Sequence, residues 1–228
     1  MVRLNSFDHV ALWASERDRL ADVLVECCGL HVIDRTDAFT LVGGDAREGK
    51  LTLFAAGDDR EPGVIGSVAL ALPDRQGALD RLGSAGVPVS EEGGRILAAA
   101  PSGVRLQLLD GGGFPDLDHV VLTVPRPDET AEGLASLGLE RGEGEGEVRV
   151  GERRIVLREG DRVGSGSPLL HHLAFLVDDV DRARDDAVER GFPIEREVDA
   201  ANTRAVFVTG PDGISIEYVE HKPGFSLV

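Results

Sequence analysis

FDHVAL at residues 7–12 returns as LDHVVL at residues 117–122, an offset of 110 positions. PSGVRLQL at residues 101–108 returns at the same offset as PDGISIEY at residues 211–218. Two separate matches at one offset indicate an internal duplication. A repeat of this kind constrains the architecture more strongly than any local pattern does.

Each half divides again into two similar units. SVAL at residues 67–70 resembles HVAL at 9–12, and HLAF at 172–175 resembles HVVL at 119–122. These starting points define four modules of about fifty residues, which is in the range of known structural repeats.

Every module repeats one order of local patterns. An apolar run of strand length comes first, then a helical stripe that follows a polar residue and ends at a glycine, then short strands broken by turns. In the second module Asp74 precedes a stripe of Ala78, Leu79 and Leu82, and Gly86 follows it. The pattern predicts strand–helix–strand–strand–strand, or βαβββ, in each of four tandem modules.

The segment DGGGFP at residues 110–115 separates the two halves. Its glycines are typical of a short flexible linker. We therefore predict an N-terminal pair of modules at residues 1–110 and a C-terminal pair at residues 115–228.

Composition limits the partners and the compartment. The chain has 24 Lys and Arg against 41 Asp and Glu, a net charge of −17 that repels nucleic acid and anionic membranes. No apolar run approaches the roughly 20 residues that span a bilayer, and the start of the chain lacks a signal-peptide core. The only cysteines, Cys27 and Cys28, are adjacent, so a disulfide framework is not expected. These features favour a cytoplasmic protein that acts on a small molecule.

Three residues of the C-terminal half are candidates for a metal site. His119 and His172 open the first strands of the third and fourth modules, and Glu217 lies in the last strand of the fourth. If these two modules pair about a pseudo-twofold axis, both imidazoles and the carboxylate point to one concave face. Two imidazoles and one carboxylate leave three positions of an octahedral ion open, as in non-haem Fe(II) oxygenases.

The fourfold βαβββ pattern, the Asp-His-Val start and the ending PDG-x-x-x-E at residues 211–217 resemble the vicinal oxygen chelate superfamily. This superfamily contains glyoxalases, bleomycin-resistance proteins and type I extradiol dioxygenases. The layout is most similar to that of the two-domain extradiol dioxygenases. The resemblance implies an α+β fold in which four βαβββ modules in tandem form two paired-module domains with curled mixed sheets.

The resemblance implies that His119, His172 and Glu217 hold one divalent transition metal in the C-terminal domain. We expect Fe(II), with Mn(II) or another divalent ion as alternatives. His171 has the opposite strand parity and is expected to be structural or to support a ligand from outside the coordination shell.

The N-terminal half has only one of the three ligand types. His9 occupies the first ligand position, but Ser67 and Gln107 occupy the other two. A hydroxyl and a neutral amide bind hard divalent ions more weakly than imidazole and carboxylate do. This half is therefore predicted to be metal-free, with His9 as a structural relic.

The resemblance implies a metal-dependent, ring-cleaving oxidoreductase that acts on a catecholic, vicinal-diol small molecule. This resemblance does not fix the oligomeric state and is compatible with a homodimer. The position of the family's acid/base tyrosine holds Phe207, so Asn202, His221 and Arg158 are the candidate substitutes. Two alternatives are a glyoxalase-like metal-dependent isomerase or lyase and a non-catalytic small-molecule-binding or resistance protein of the same fold.

Overall fold

A computed structural model describes residues 2–44, 47–164, 166–223 and 225 of the chain. It contains the four predicted βαβββ modules in chain order. The first has β1 (Ser6–Ala14), α1 (Arg17–Asp22), β2 (His31–Arg35), β3 (Phe39–Gly43) and β4 (Lys50–Ala55). The second has β5 (Ile65–Leu72), α2 (Arg75–Ser84), β6 (Val89–Glu92), β7 (Arg95–Ala99) and β8 (Arg105–Asp110).

The other two modules repeat this order of elements. The third has β9 (Asp116–Val124), α3 (Pro127–Ser136), β10 (Glu140–Arg141), β11 (Glu147–Val150) and β12 (Arg153–Glu159). The fourth has β13 (Leu170–Leu176), α4 (Val180–Glu189), β14 (Ile194–Asp199), β15 (Thr203–Thr209) and β16 (Ser215–His221). The α+β class and the modular pattern are confirmed.

Local sequence explains where the helices begin and end. Asp74 caps α2 by accepting a hydrogen bond from the backbone N–H of Gly77, and Asp179 caps α4 in the same way. Helix α1 continues as a π-helical turn over Val23–Cys27, and the chain then turns at Gly29, whose φ is +78°. Glycine adopts this left-handed conformation without the steric cost that other residues carry.

The strands form two eight-stranded mixed sheets. The first sheet has the order β14-β15-β16-β13-β1-β4-β3-β2, and the second has the order β10-β11-β12-β9-β5-β8-β7-β6. Both sheets are therefore built from two modules each, which confirms paired-module units. The antiparallel pair at the centre is β1 with β13 in the first sheet and β5 with β9 in the second.

The partners within these pairs differ from the predicted ones. The first sheet combines the first and fourth modules, and the second sheet combines the second and third. The segment at residues 110–115 joins β8 to β9 inside the second sheet, whereas residues 56–64 and 160–169 connect the two sheets. The predicted ranges 1–110 and 115–228 therefore follow the sequence repeat but not the sheets. Either pairing buries the same apolar strand faces, so the hydrophobic pattern does not distinguish them.

The core lies between the helices and one face of each central strand. Val10 and Leu12 of β1 and Leu173 and Phe175 of β13 are fully buried, while the alternate residues of these strands face the opposite side. In the part of the chain that the structure describes, every helix is too short or too polar to cross a lipid bilayer.

Tyr218 of β16 makes a buried polar contact in this core. Its hydroxyl donates a hydrogen bond to the backbone carbonyl of Leu137 at 2.7 Å, and burial raises the pKa of the phenol. We expect Tyr218→Phe to lower the free energy of unfolding by about 1–3 kcal/mol, because the carbonyl then lacks a buried donor. Urea denaturation followed by circular dichroism measures this change, and a loss of less than about 0.5 kcal/mol would contradict it.

Candidate metal centre

Three potential ligands converge on the concave face of the first sheet. They are His9 of β1, His172 of β13 and Glu217 of β16, and their ligand atoms lie within 4.8 Å of one another. His172 Nε2 lies 2.9 Å from His9 Nε2 and 2.9 Å from Glu217 Oε2, and His9 Nε2 lies 3.4 Å from the same carboxylate oxygen. This is the one group of three or more His, Cys, Asp or Glu ligand atoms found in residues 2–44, 47–164, 166–223 and 225.

Two β-bulges shape the central strand pair at this point. The register between β1 and β13 shifts between Phe7 and His9, which leaves Asp8 as an extra residue. A second shift leaves His171 as an extra residue on β13. A bulge changes the direction of side chains and is often found beside a functional site. Here each bulge places a polar residue next to one of the clustered histidines.

Asp8 fixes the tautomer of His9. Its carboxylate accepts a hydrogen bond from His9 Nδ1 at 2.7 Å and another from Lys50 Nζ at 2.8 Å. Burial alone would raise the pKa of Asp8, but the hydrogen bond and charge of His9 and the charge of Lys50 outweigh it and lower the pKa to about 2. Because Nδ1 carries the proton, His9 Nε2 presents its lone pair to the cluster.

His171 fixes the second imidazole. His171 Nδ1 lies 2.6 Å from His172 Nδ1, and its ring packs against Phe54 and Trp13 at centroid distances of 5.0 and 4.8 Å. Burial and the neighbouring charges of His172 and Arg196 lower the pKa of His171 to about 4, so this ring is neutral near pH 7. A neutral His171 that accepts at Nδ1 leaves His172 Nε2 free to act as a ligand. The expectation that His171 supports a ligand is consistent with this contact.

The protonation states of the cluster suit a cation. Burial lowers the pKa of His172, which favours its neutral imidazole. Burial opposes ionisation of Glu217, but the contacts of its carboxylate with the His172 and His9 rings outweigh it and lower the pKa of Glu217. Neutral imidazole and ionised carboxylate are the forms that bind a metal ion. The residues present therefore fit a divalent transition metal held by two nitrogens and one oxygen.

The fourth position around the cluster holds a hydroxyl. Glu217 pairs with Ala174 two residues beyond His172, and Thr52 pairs with Ala11 two residues beyond His9. Thr52 is therefore the structural counterpart of Glu217 on the other side of the pseudo-twofold axis. Since a neutral hydroxyl is a weaker ligand than a carboxylate, the chain supplies three strong ligands and leaves the remaining positions open.

The cluster lies at the floor of a cavity of about 450 Å³ in the first sheet. Its walls are largely apolar, and the polar side chains converge on a few points, which is the usual composition of a small-molecule site. The apolar lining residues are Phe39, Leu41, Phe54, Ala200, Ala201, Phe207, Val219 and Phe225. The polar lining residues outside the cluster are Asp8, Asp34, Lys50, Thr52, Arg196, Asn202, Thr203 and His221.

The structure brings together some of the predicted catalytic candidates and separates others. Asn202 and His221 line the cavity, and burial lowers the pKa of His221. Arg158 is exposed on β12 of the second sheet and is not part of the cavity. Phe207 lies beside the cluster, with its ring centroid 5.1 Å from that of His172.

His119 is separated from the other two predicted ligands. It lies on β9 of the second sheet, where its Nδ1 contacts Asp118 at 2.5 Å. Its cross-strand partner is Ala69, which in turn pairs with Gln107. This register makes Ser67 and Gln107 the counterparts of His172 and Glu217 in the second sheet, where they supply a hydroxyl and an amide. Because the modules pair across the halves, His9 takes the place predicted for His119. His9 is therefore a member of the cluster with His172 and Glu217, and not the structural relic that the sequence predicted.

The sequence contains one signal that favours this pairing. The connection between the halves, residues 111–115, is shorter than the other two connections between modules, residues 56–64 and 160–169. A short connection favours elements that stay in one sheet. Asp8 contacts His9 because of a β-bulge, and Lys50 reaches Asp8 from β4, which is distant in the chain. The pattern of apolar residues indicates neither contact.

Comparisons with known proteins agree with this architecture. The family model described as the glyoxalase/bleomycin resistance protein/dioxygenase superfamily matches twice, at residues 6–108 and 116–218. A search of curated proteins finds no match.

Several solved structures share the fold. A putative dioxygenase from Bacillus subtilis subsp. subtilis str. 168 is 20% identical, with a TM-score of 0.76 over 98% of this chain and 87% of its own. Glyoxalase I from Zea mays is 18% identical, with a TM-score of 0.76 over 96% of this chain and 92% of its own. The cppA protein from Streptococcus pneumoniae TIGR4 is 12% identical, with a TM-score of 0.63 over 96% of this chain and 100% of its own. At these identities the likeness concerns the fold alone.

Proposed function

This chain belongs to the glyoxalase/bleomycin resistance protein/dioxygenase superfamily, and from that premise we propose that it is a metal-dependent, extradiol-dioxygenase-like enzyme that acts on a catecholic small molecule. His9, His172 and Glu217 hold the metal, for which Fe(II) is the candidate. His172 and Glu217 are retained from the sequence prediction, and His9 replaces His119.

The observation that carries this proposal is the set of three strong ligands at the floor of an aromatic cavity. A vicinal diol needs two adjacent coordination positions and O₂ needs a third, and a facial triad leaves three free. Thr52 in place of a fourth carboxylate keeps these positions open. The same feature disfavours the glyoxalase-like alternative, which resembles enzymes with a fourth protein ligand from the opposite module.

The residues of the chain have separate tasks in such a reaction. A bound Fe(II) would supply Lewis acidity toward the diol oxygens and an electron source for O₂. Phe54 and Phe207 flank the clustered ligands and provide apolar walls that orient a flat ring and exclude water. Asp8 and His171 hold His9 and His172 in the tautomers that expose Nε2.

A proton acceptor is available within the cavity. Phe207 has no hydrogen-bonding group, but His221 lines the same cavity and stacks on Phe225 at a centroid distance of 3.8 Å. Burial lowers the pKa of His221, which keeps a ring nitrogen unprotonated near neutral pH. We assign to His221 the removal of a proton from the diol, with Asn202 as a neutral hydrogen-bond partner for the substrate.

Anaerobic loading with Fe(II), followed by O₂ uptake with substituted catechols, tests the proposal. We expect O₂ consumption together with formation of the yellow ring-opened product. His221→Gln is expected to lower kcat by about 10²–10⁴-fold while metal content stays the same, because a positioned acid or base contributes about this factor. Isomerisation of a 2-oxoaldehyde–thiol adduct without diol consumption would establish the glyoxalase-like alternative. Tight binding and unchanged release of the aromatic compound would establish the non-catalytic one.

A further inference from the structure

Arg196 is placed at the cavity by a third β-bulge. The register of β14 against β15 shifts between Ile194 and Arg196, so that Glu195 is the extra residue. Glu195 accepts hydrogen bonds from Thr209 and Ser215, and Arg196 instead lines the cavity opposite Phe207. The bulge therefore directs a cation toward the site on an otherwise exposed edge strand.

The guanidinium of Arg196 lies close to the clustered ligands. Its central carbon is 3.9 Å from the centroid of the Phe207 ring, and that ring is 5.1 Å from the ring of His172. These two distances limit the separation between the guanidinium carbon and the centroid of the His172 ring to at most about 9 Å, so one small substrate can reach both. The charge of Arg196 also contributes to lowering the pKa of His171 and His172, as expected for a cation facing the same space.

The charge of Arg196 lacks a counter-ion among the residues that the structure describes. Within residues 2–44, 47–164, 166–223 and 225, no carboxylate forms an ion pair with it, although the chain has 41 acidic residues. The cavity residues Lys50 and Asp8 are paired with each other, and Glu217 is paired with the histidines. The other rim charge, Asp34, lies on β2 at the opposite edge of the sheet and repels an anion toward Arg196.

From this arrangement we propose that Arg196 forms an anion-binding subsite and that the substrate is a catechol bearing a carboxylate. This inference rests on the proposed function, because it assigns the diol end of the substrate to the metal and the carboxylate end to Arg196. A planar guanidinium stacked on Phe207 can donate two parallel hydrogen bonds to a carboxylate while the substrate ring lies along the apolar wall.

Paired ligands that differ only in charge test the subsite. The probes are 3,4-dihydroxybenzoate and its methyl ester, titrated calorimetrically and without O₂ into protein loaded with Zn(II). We expect the acid to bind the wild type roughly tenfold or more tightly than the ester, since a hydrogen bond to a charged group contributes at least this factor. The overall charge of −17 opposes this preference, so a local cation has to produce it.

Matched arginine variants locate the effect. Arg196→Met is expected to reduce the preference to about twofold or less, and Arg196→Lys to retain part of it. Arg158→Met, which removes an exposed arginine on the other sheet, is expected to leave it unchanged. Circular dichroism checks that each variant remains folded.

The outcomes separate this inference from the proposed function. Equal binding of acid and ester to the wild type, or an unchanged preference in Arg196→Met, would overturn the anion subsite while diol binding still supports the enzyme. If neither diol binds the Zn(II) protein but benzoate binds the wild type and not Arg196→Met, the subsite stands and the catechol chemistry fails.

Discussion

Replacing His9 with alanine is expected to weaken metal binding by at least about 100-fold, while replacing His119 with alanine leaves it unchanged. His9 Nε2 lies 2.9 Å from His172 Nε2, whereas His119 lies on the other sheet. Even outer partners of metal ligands contribute about 10–100-fold to affinity, so loss of a direct ligand should exceed that range. Metal content after anaerobic loading and desalting, with affinity from competition against a chelator, measures the difference.

The two histidines are matched controls for each other. Each is the fourth residue of the first strand of a module, and in each the ring Nδ1 contacts the carboxylate of the preceding aspartate. Nonspecific loss of structure would therefore affect both variants. If His119→Ala lost the metal and His9→Ala kept it, the ion would belong to the second sheet and our assignment would be wrong.

Replacing Lys50 with methionine is expected to lower the free energy of unfolding of the metal-free protein by about 3–5 kcal/mol. Lys50 is 2% exposed and Asp8 is 4% exposed, and the ammonium donates to the carboxylate at 2.8 Å. Removal of Lys50 leaves the buried Asp8 carboxylate with its hydrogen bond from His9 but without its ammonium partner, which costs far more than the net stabilisation from the intact pair. Urea unfolding of the two proteins at the same pH gives the difference.

An exposed ion pair supplies the control for this prediction. Arg75 contacts Asp110 at the same kind of distance, 2.7 Å, but the aspartate side chain is 70% exposed. Arg75→Met is expected to change the free energy of unfolding by about 1 kcal/mol or less. In the double variant Asp8→Asn/Lys50→Met, part of the stability lost in Lys50→Met should return. A Lys50→Met protein as stable as the Arg75→Met protein would show that burial of this pair has no energetic consequence.

The repeat at an offset of 110 positions was sufficient to predict the modules, because helix and strand periodicity is local and each module repeats it. It also singled out His172 and Glu217 as candidate ligands, which lie on strands of one module and share a face through register alone. His9 could not be assigned in the same way. His9 and His119 occupy equivalent places in the repeat, and their distinction depends on which modules associate over distances of more than a hundred residues.

Local sequence patterns also could not predict that Asp8 and Arg196 face the site. Strict alternation along β1 would place Asp8 on the face opposite His9, and only the bulge brings both to one side. Arg196 depends on another bulge in the same manner. Such insertions follow from the register of paired strands, and a single strand read in isolation contains no record of them.

In the chain, the strands of the second sheet lie between the two groups of strands that form the first sheet, and this arrangement sets an order of assembly. Strands β5–β12, which form the second sheet, are contiguous in the chain and can pair as soon as residue 159 is available. The first sheet must wait until β13–β16 exist, since its centre joins β1 to β13, and this long loop closure slows folding. A ribosome-bound chain that ends before β13 therefore carries all strands of the second sheet, while β1 has its neighbour β4 but lacks its partner across the centre of the first sheet. The cluster of His9, His172 and Glu217 is complete only after β16 has been made.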